Sequence, residues 1–256
     1  LGATSTFPAA GSDSRALYQV DNGQTTSLPI DTIHLVMLPG DTTFITDATT
    51  LLSNKFQGAT LTVNHQEVYY DVGARRRGSI FSRSGGSRVS YRVNLNSDQL
   101  FRGVHEQITM DTTRTGGLLP SPDSLEEILT KHLISQTGGI VSLYDDLAYT
   151  LTPVNSQSMP AILQLARYDD VYLDEQFSDG SDGSLFKMVA IPYSSHKVPG
   201  TGGLKDGLAR GHIGCCDITD KGDDKEDYRL RFLLRNNRER DDFDRIVKMN
   251  QAFSLT

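Results

Sequence analysis

Two runs of the chain, residues 68–76 and 91–95, alternate apolar and polar positions with a period of two, the mark of a half-buried strand. In the first, Val68, Tyr70, Val72 and Ala74 fall on one face, and Tyr69, Asp71 and Arg75 on the other. In the second, Tyr91, Val93 and Leu95 share a face. Residues 59–63 and 67–76 flank Asn64-His65-Gln66, whose turn chemistry predicts a hairpin with His65 as a turn residue. Similar patterns predict a strand over 33–38 and a second hairpin, 147–154 with 160–168, turning at Asn155-Ser156-Gln157.

Helical spacing is clearest after Ser121-Pro122-Asp123, an N-cap serine followed by a proline at the first helical position. Leu125, Ile128, Leu129, His132 and Leu133 then follow the i, i+3, i+4, i+7, i+8 rule, and Gly138-Gly139 ends the helix. That stripe is expected to pack on a sheet, with His132 a core histidine and Glu126 and Glu127 on the solvated face. A short helix is expected within 42–56 and another over 171–177. Residues 101–110 and 228–234 read as extended. Residues 241–253 read as a helix with Phe243, Ile246, Val247, Asn250 and Phe253 along one side. The fold class is therefore α+β: a twisted, mainly antiparallel sheet with the 122–136 helix beside it and a partial helical extension.

Residues 1–27, rich in Ser, Thr, Gly and Ala, read as a flexible lead-in, and 192–222 as an irregular insertion. The start has neither Met nor a basic-then-apolar signal and reads as a processed or excised terminus. No run approaches the roughly 18 apolar residues of a membrane span. A formal charge of −7 argues against general nucleic-acid binding. Cys215 and Cys216 are adjacent and cannot build a long-range disulfide framework with each other. Residues 217–227 are strongly acidic, but their spacing misses the calcium-loop template, so a solvated loop is expected.

One local departure from the acidic balance needs a reason. Arg75, Arg76, Arg77, Arg83, Arg88 and Arg92 all lie between Val72 and Ser97, with no acid among them. The loop they surround, 78–87, is made largely of Gly, Ser and Arg. Gly and Ser let the backbone approach closely and present N–H groups, and Arg forks match phosphate oxygens two at a time. A phosphate-facing loop and a solvated hairpin tip with its arginines paired elsewhere both satisfy the pattern. The phosphate-loop, nucleophile-elbow, zinc-protease and paired-cysteine templates are absent.

The run Tyr69-Tyr70-Asp71-Val72-Gly73-Ala74-Arg75-Arg76-Arg77-Gly78-Ser79, followed by Ser87-Arg88-Val89-Ser90-Tyr91-Arg92-Val93, resembles the signature of the CotH family of spore-coat-type proteins. Weaker similarities follow at residues 161–170, at Ser184-Leu185-Phe186-Lys187, and near 241–246. The resemblance covers about residues 28–256 and implies the amino-terminal half of a family domain. That family is similar to protein kinases in fold and is understood as atypical, mostly secreted, ATP-dependent kinases. It implies a kinase-like small lobe whose helix at 122–136 would carry Glu126 and Glu127. It also implies ATP with Mg²⁺, and a nucleotide site of Arg77, Gly78, Ser79, Ser82, Arg83, Gly85, Gly86, Arg88, Arg92 and Lys187. The implied activity is phosphorylation of protein hydroxyls by a secreted or cell-surface protein, with a protein substrate or extracellular partner.

The chain also departs from the family pattern. A family Lys-Lys stands here as Arg88-Val89, and the acid before the hinge as Ala166. The "H-N" and "W-D-x-D" catalytic segments do not occur, and the chain has no tryptophan. The alternative is a non-catalytic extracellular structural or adhesion module on the same scaffold.

Overall fold

The structure, a computed structural model, describes residues 29–47, 49–78, 83, 89–112, 123–137, 142, 145–154, 158–165, 167–188, 218–229 and 231–254. It is mixed α and β, sheet-rich with few helices, and divides into two compact units after Arg167. Residues 199–204 group with the first unit but lie outside the described residues.

The first unit is a seven-stranded closed barrel: β1 (Asp31–Met37), β2 (Gln57–Val63), β3 (Glu67–Arg76), β4 (Tyr91–Asn94), β5 (Gln107–Asp111), β6 (Asp145–Leu151) and β7 (Met159–Leu165). The order around the barrel is β1-β2-β3-β4-β5-β7-β6. All neighbours are antiparallel except β1 and β6, whose parallel pairing closes the ring. A mainly antiparallel sheet with 67–76 beside 91–94 matches the sequence expectation. Its closure is a feature the local patterns did not carry. Ile33, Leu35, Leu61, Val63, Val72, Val93 and Met110 are buried in its core. Closing the sheet removes the edges that an open sheet must protect.

The β2–β3 hairpin turns at Asn64 and His65, both left-handed at φ +53° and +56°. Asn64 fixes the turn to β1: its carbonyl accepts from Thr32 N at 2.8 Å and its amide donates to Asp31 at 2.7 Å. Further along β3 the pairing jumps from Leu61–Tyr69 to Ala59–Val72. Asp71, at φ +54°, occupies this bulge. The extra residue changes the phase of alternation, so Tyr69 is buried before the bulge and Val72, Ala74 and Arg76 after it. The sequence pattern had placed Tyr70 with Val72; the bulge puts Tyr69 there instead. Beyond the end of β4, the Gln99 and Asn96 side chains bond the backbone of β3 at Val68, Tyr70 and Asp71.

Three element expectations are corrected in this unit. The short helix, α1, spans Pro39–Thr46 rather than part of 42–56 alone. Of residues 101–110, only β5 is a strand; Phe101 and His105 instead close a tight turn with Arg102 and Gly103 at positive φ. Helix α2 (Asp123–Gln136) forms as expected, yet its stripe is not core: Leu129 is 57% and Leu133 56% exposed, and His132 is exposed too. What ties α2 to the barrel is Lys131, which pairs with Glu127 one turn earlier and with the buried carboxylate of Asp145 on β6.

The second unit holds α3 (Asp170–Gln176), the two-stranded sheet of β8 (Phe186–Met188) and β9 (Phe232–Leu234), α4 (Glu226–Arg229) and α5 (Asp244–Ser254). The Asp169 carboxylate caps α3 by accepting from Tyr172 N. Tyr228, Phe232, Phe243, Ile246 and Val247 form the core, with Phe186 and Met249 against it. Residues 228–234, expected to be extended, begin instead as the last turn of α4, which turns Tyr228 into that core. Phe253, expected on the packed side of α5, is 59% exposed. Most of the 192–222 insertion and both cysteines lie outside the described residues. Among the described residues no helix is long and apolar enough to cross a membrane.

Candidate functional site

The arginine-rich segment occupies the end of the β3–β4 hairpin. Ladder register places Arg75 opposite Arg92 and Arg76 opposite Tyr91. Because β-strand side chains alternate, this sorts the arginines onto two sides of the barrel wall. Arg75, Arg77 and Arg92 share the outer parity and are half-buried, while Arg76 follows Val72 and Ala74 inward and is 6% exposed. Two cations placed directly across a ladder repel one another unless something negative lies between or beside them.

Arg75 and Arg77 are each held by their neighbours. Arg75 donates to Asn54 Oδ1 at 3.0 Å and to its neighbour's carbonyl, and stacks 5.1 Å from the Phe56 ring. Phe56 also crowds Gly73, where an added Cβ would meet it at 3.1 Å. Arg77 continues the ladder through its N–H to Ser90 O at 2.8 Å, and its guanidinium pairs with Asp111. Ser90 donates to the same carboxylate at 2.8 Å, so Asp111 locks the start of the loop to β5. Gly78 follows at φ +108°, a conformation that side-chain-bearing residues rarely adopt.

Arg83 departs from the role the resemblance implies. It is 2% exposed and its guanidinium turns into the protein. Nε donates to Gly78 O at 2.8 Å, Nη1 to Ser53 O at 3.0 Å and Nη2 to Asn54 Oδ1 at 2.9 Å. These bonds make it a clamp between the loop and the segment before β2. Its carbonyl in turn accepts from Arg76 Nη1 at 2.9 Å.

Of the other residues implied for the site, Ser79, Ser82, Gly85, Gly86 and Arg88 lie outside the described residues, as does Ala166. Lys187 is exposed on β8 and belongs to the second unit. Glu127 pairs with Lys131 of its own helix, and Glu126 is exposed.

Arg75 and Arg76 belong to the arginine cluster but were not among the residues implied for the nucleotide site. The signal for Arg76 was nonetheless present: a charged residue at the apolar parity of a strand. Burial drives its pKa down from the ordinary arginine value, with only the nearby Tyr91 opposing. Burial also pushes the Tyr91 hydroxyl up to about 12, against a hydrogen bond shared with Thr152.

The hairpin end thus gathers Arg75, Arg77 and Arg92 on one face. Among the described residues no group of three or more His, Cys, Asp or Glu side chains could hold a metal ion. No family model matches the chain, and no curated protein matches it.

Proposed function

We propose that the chain is the nucleotide-facing part of a CotH-like, kinase-type domain that acts on protein hydroxyls at the cell surface or outside the cell. The observation that carries this is the register setting Arg92 of β4 opposite Arg75 of β3, with Arg77 next on the same face. Three half-buried guanidinium groups at the mouth of a Gly- and Ser-containing loop suit the phosphates of ATP. A strand–loop–strand of this kind is also what a kinase-type glycine-rich loop requires. The barrel closure through β1 and β6 is additional to that requirement and is not evidently kinase-like. Among the described residues no cluster of carboxylates fits the Mg²⁺ that the resemblance implies.

A thermal-shift titration tests the proposal. ATP with Mg²⁺ should raise the melting temperature, as any ligand of the native state must. Arg77→Ala and Arg92→Ala should each diminish that rise. No rise at millimolar ATP, with inorganic salt as control, would remove the nucleotide from the account.

A non-catalytic structural or adhesion module is favoured by a different observation. Arg83 is committed to three protein oxygens, the arrangement of a loop held rigid rather than one poised around a ligand. Binding of a protein partner by an ATP-insensitive chain would support this second reading.

A further inference from the structure

Several cations among the described residues have a carboxylate. Arg77 has Asp111, Arg102 has Asp31 and Glu67, Lys131 has Asp145, and Arg229 has Asp241. Arg76 does not. Its side chain lies inside the barrel wall, Nη1 reaches only the neutral carbonyl of Arg83, and Nε is buried without a hydrogen-bond partner among the described residues. Tyr91 stands across the ladder, but it is neutral near pH 7 and cannot serve as a counter-ion. Thr152, just past β6, meets the Tyr91 hydroxyl, and Thr150 near the end of β6 is buried with its own hydroxyl unbonded among the described residues. Burying a cation with donors to spare is costly, and such a group is retained where something satisfies it.

We propose that the Arg76 end of the barrel interior is an oxyanion site, in which a phosphate or carboxylate group accepts from the Arg76 guanidinium beside Tyr91 and Thr152. This goes beyond the nucleotide assignment, because Arg76 lies on the opposite side of the barrel wall from Arg75, Arg77 and Arg92. A free anion would satisfy it as well as a ligand's phosphate would. The planar fork of Arg suits two oxygens of one group, and a low-dielectric setting strengthens each bond.

The test uses the full chain and follows the assigned Arg76 Nε–H resonance during titration with inorganic phosphate, acetate and ADP at constant ionic strength. The resonance should move and its hydrogen exchange slow with at least one of the three. If phosphate or acetate suffices, the anion is free; if only ADP acts, it belongs to a nucleotide. In parallel, Arg76→Met should keep the melting temperature of the anion-free protein and weaken anion binding about tenfold or more. A resonance unmoved by all three probes would overturn the proposal even if the variant fails to fold. So would a variant that retains the wild-type response. Loss of ADP binding with phosphate still moving Arg76 would refute the nucleotide reading and leave this site standing.

Discussion

Tyr91 sits directly across the β3–β4 ladder from Arg76 and is 2% exposed, and its hydroxyl meets Thr152 just past the end of β6. A phenol in that position keeps its proton to about pH 12, whereas in the unfolded chain it loses it near 10. The folded state therefore binds the proton more tightly. Its contribution is fully present below the unfolded value and is lost as pH rises through the folded one. Stability should fall by roughly 2–3 kcal/mol between pH 10 and 12 on account of this group. Urea unfolding at stepped pH measures it, and Tyr91→Phe should flatten that part of the profile. An unchanged slope in the variant would show that Tyr91 is not the group responsible.

Asp71 stands in the left-handed region at the β3 bulge. Replacement by glycine removes the strain of a Cβ there and should leave stability unchanged or raise it by up to about 1 kcal/mol. Replacement by valine, β-branched at positive φ, should cost about 1–2 kcal/mol. Chemical denaturation of both variants gives the comparison. Equal destabilisation by the two would mean that the Asp71 side chain, rather than the backbone, holds the bulge.

That bulge also explains what the sequence could and could not reveal. Both hairpins, helix α2 and the 67–76 and 91–94 strands were legible because turn chemistry, helical spacing and period-2 alternation are local; the Ser121-Pro122 cap lies outside the described residues. The face of Tyr69 was not, since one inserted residue reverses every side chain before it. Barrel closure depends on β1 pairing with β6, about a hundred residues later, and no local pattern reports a contact of that range. At the candidate site the arginine cluster was legible as composition. Its division into an outer face, an inner Arg76 and the Arg83 clamp depended on register and on where the loop folds back.

Helix α2 gives a prediction opposite to its pattern. Because Leu129 and Leu133 are more than half exposed, Leu129→Ser and Leu133→Ser should each change stability by less than about 0.5 kcal/mol. Lys131→Met should cost about 2–3 kcal/mol, since the Asp145 side chain it faces is fully buried and loses a charge partner. Denaturant midpoints of the three variants decide the matter. Serine substitutions costing as much as the lysine would mean that the stripe packs in solution after all.

Arg83 separates a clamp from a phosphate ligand. Its three guanidinium nitrogens donate to Gly78 O, Ser53 O and Asn54 Oδ1, and its carbonyl receives Arg76. Truncation removes three charge-assisted bonds to part-buried acceptors, of which Asn54 Oδ1 keeps a second donor, Arg75, and each such bond contributes about 1.5–3 kcal/mol. Arg83→Met should therefore destabilise the protein by roughly 3–5 kcal/mol, within the range for breaking a buried network. Lysine should rescue little, because a single ammonium on a flexible stem cannot reproduce a planar fork spanning three oxygens. The measurement is a urea midpoint for wild type, Arg83→Met and Arg83→Lys, paired with the ATP-induced rise in melting temperature for each. A phosphate ligand would show the reverse pattern: near-normal stability, a lost ATP response, and partial rescue by lysine. With its guanidinium turned inward, Arg83 should behave as the clamp, and the ATP response per folded molecule should survive wherever the variant still folds.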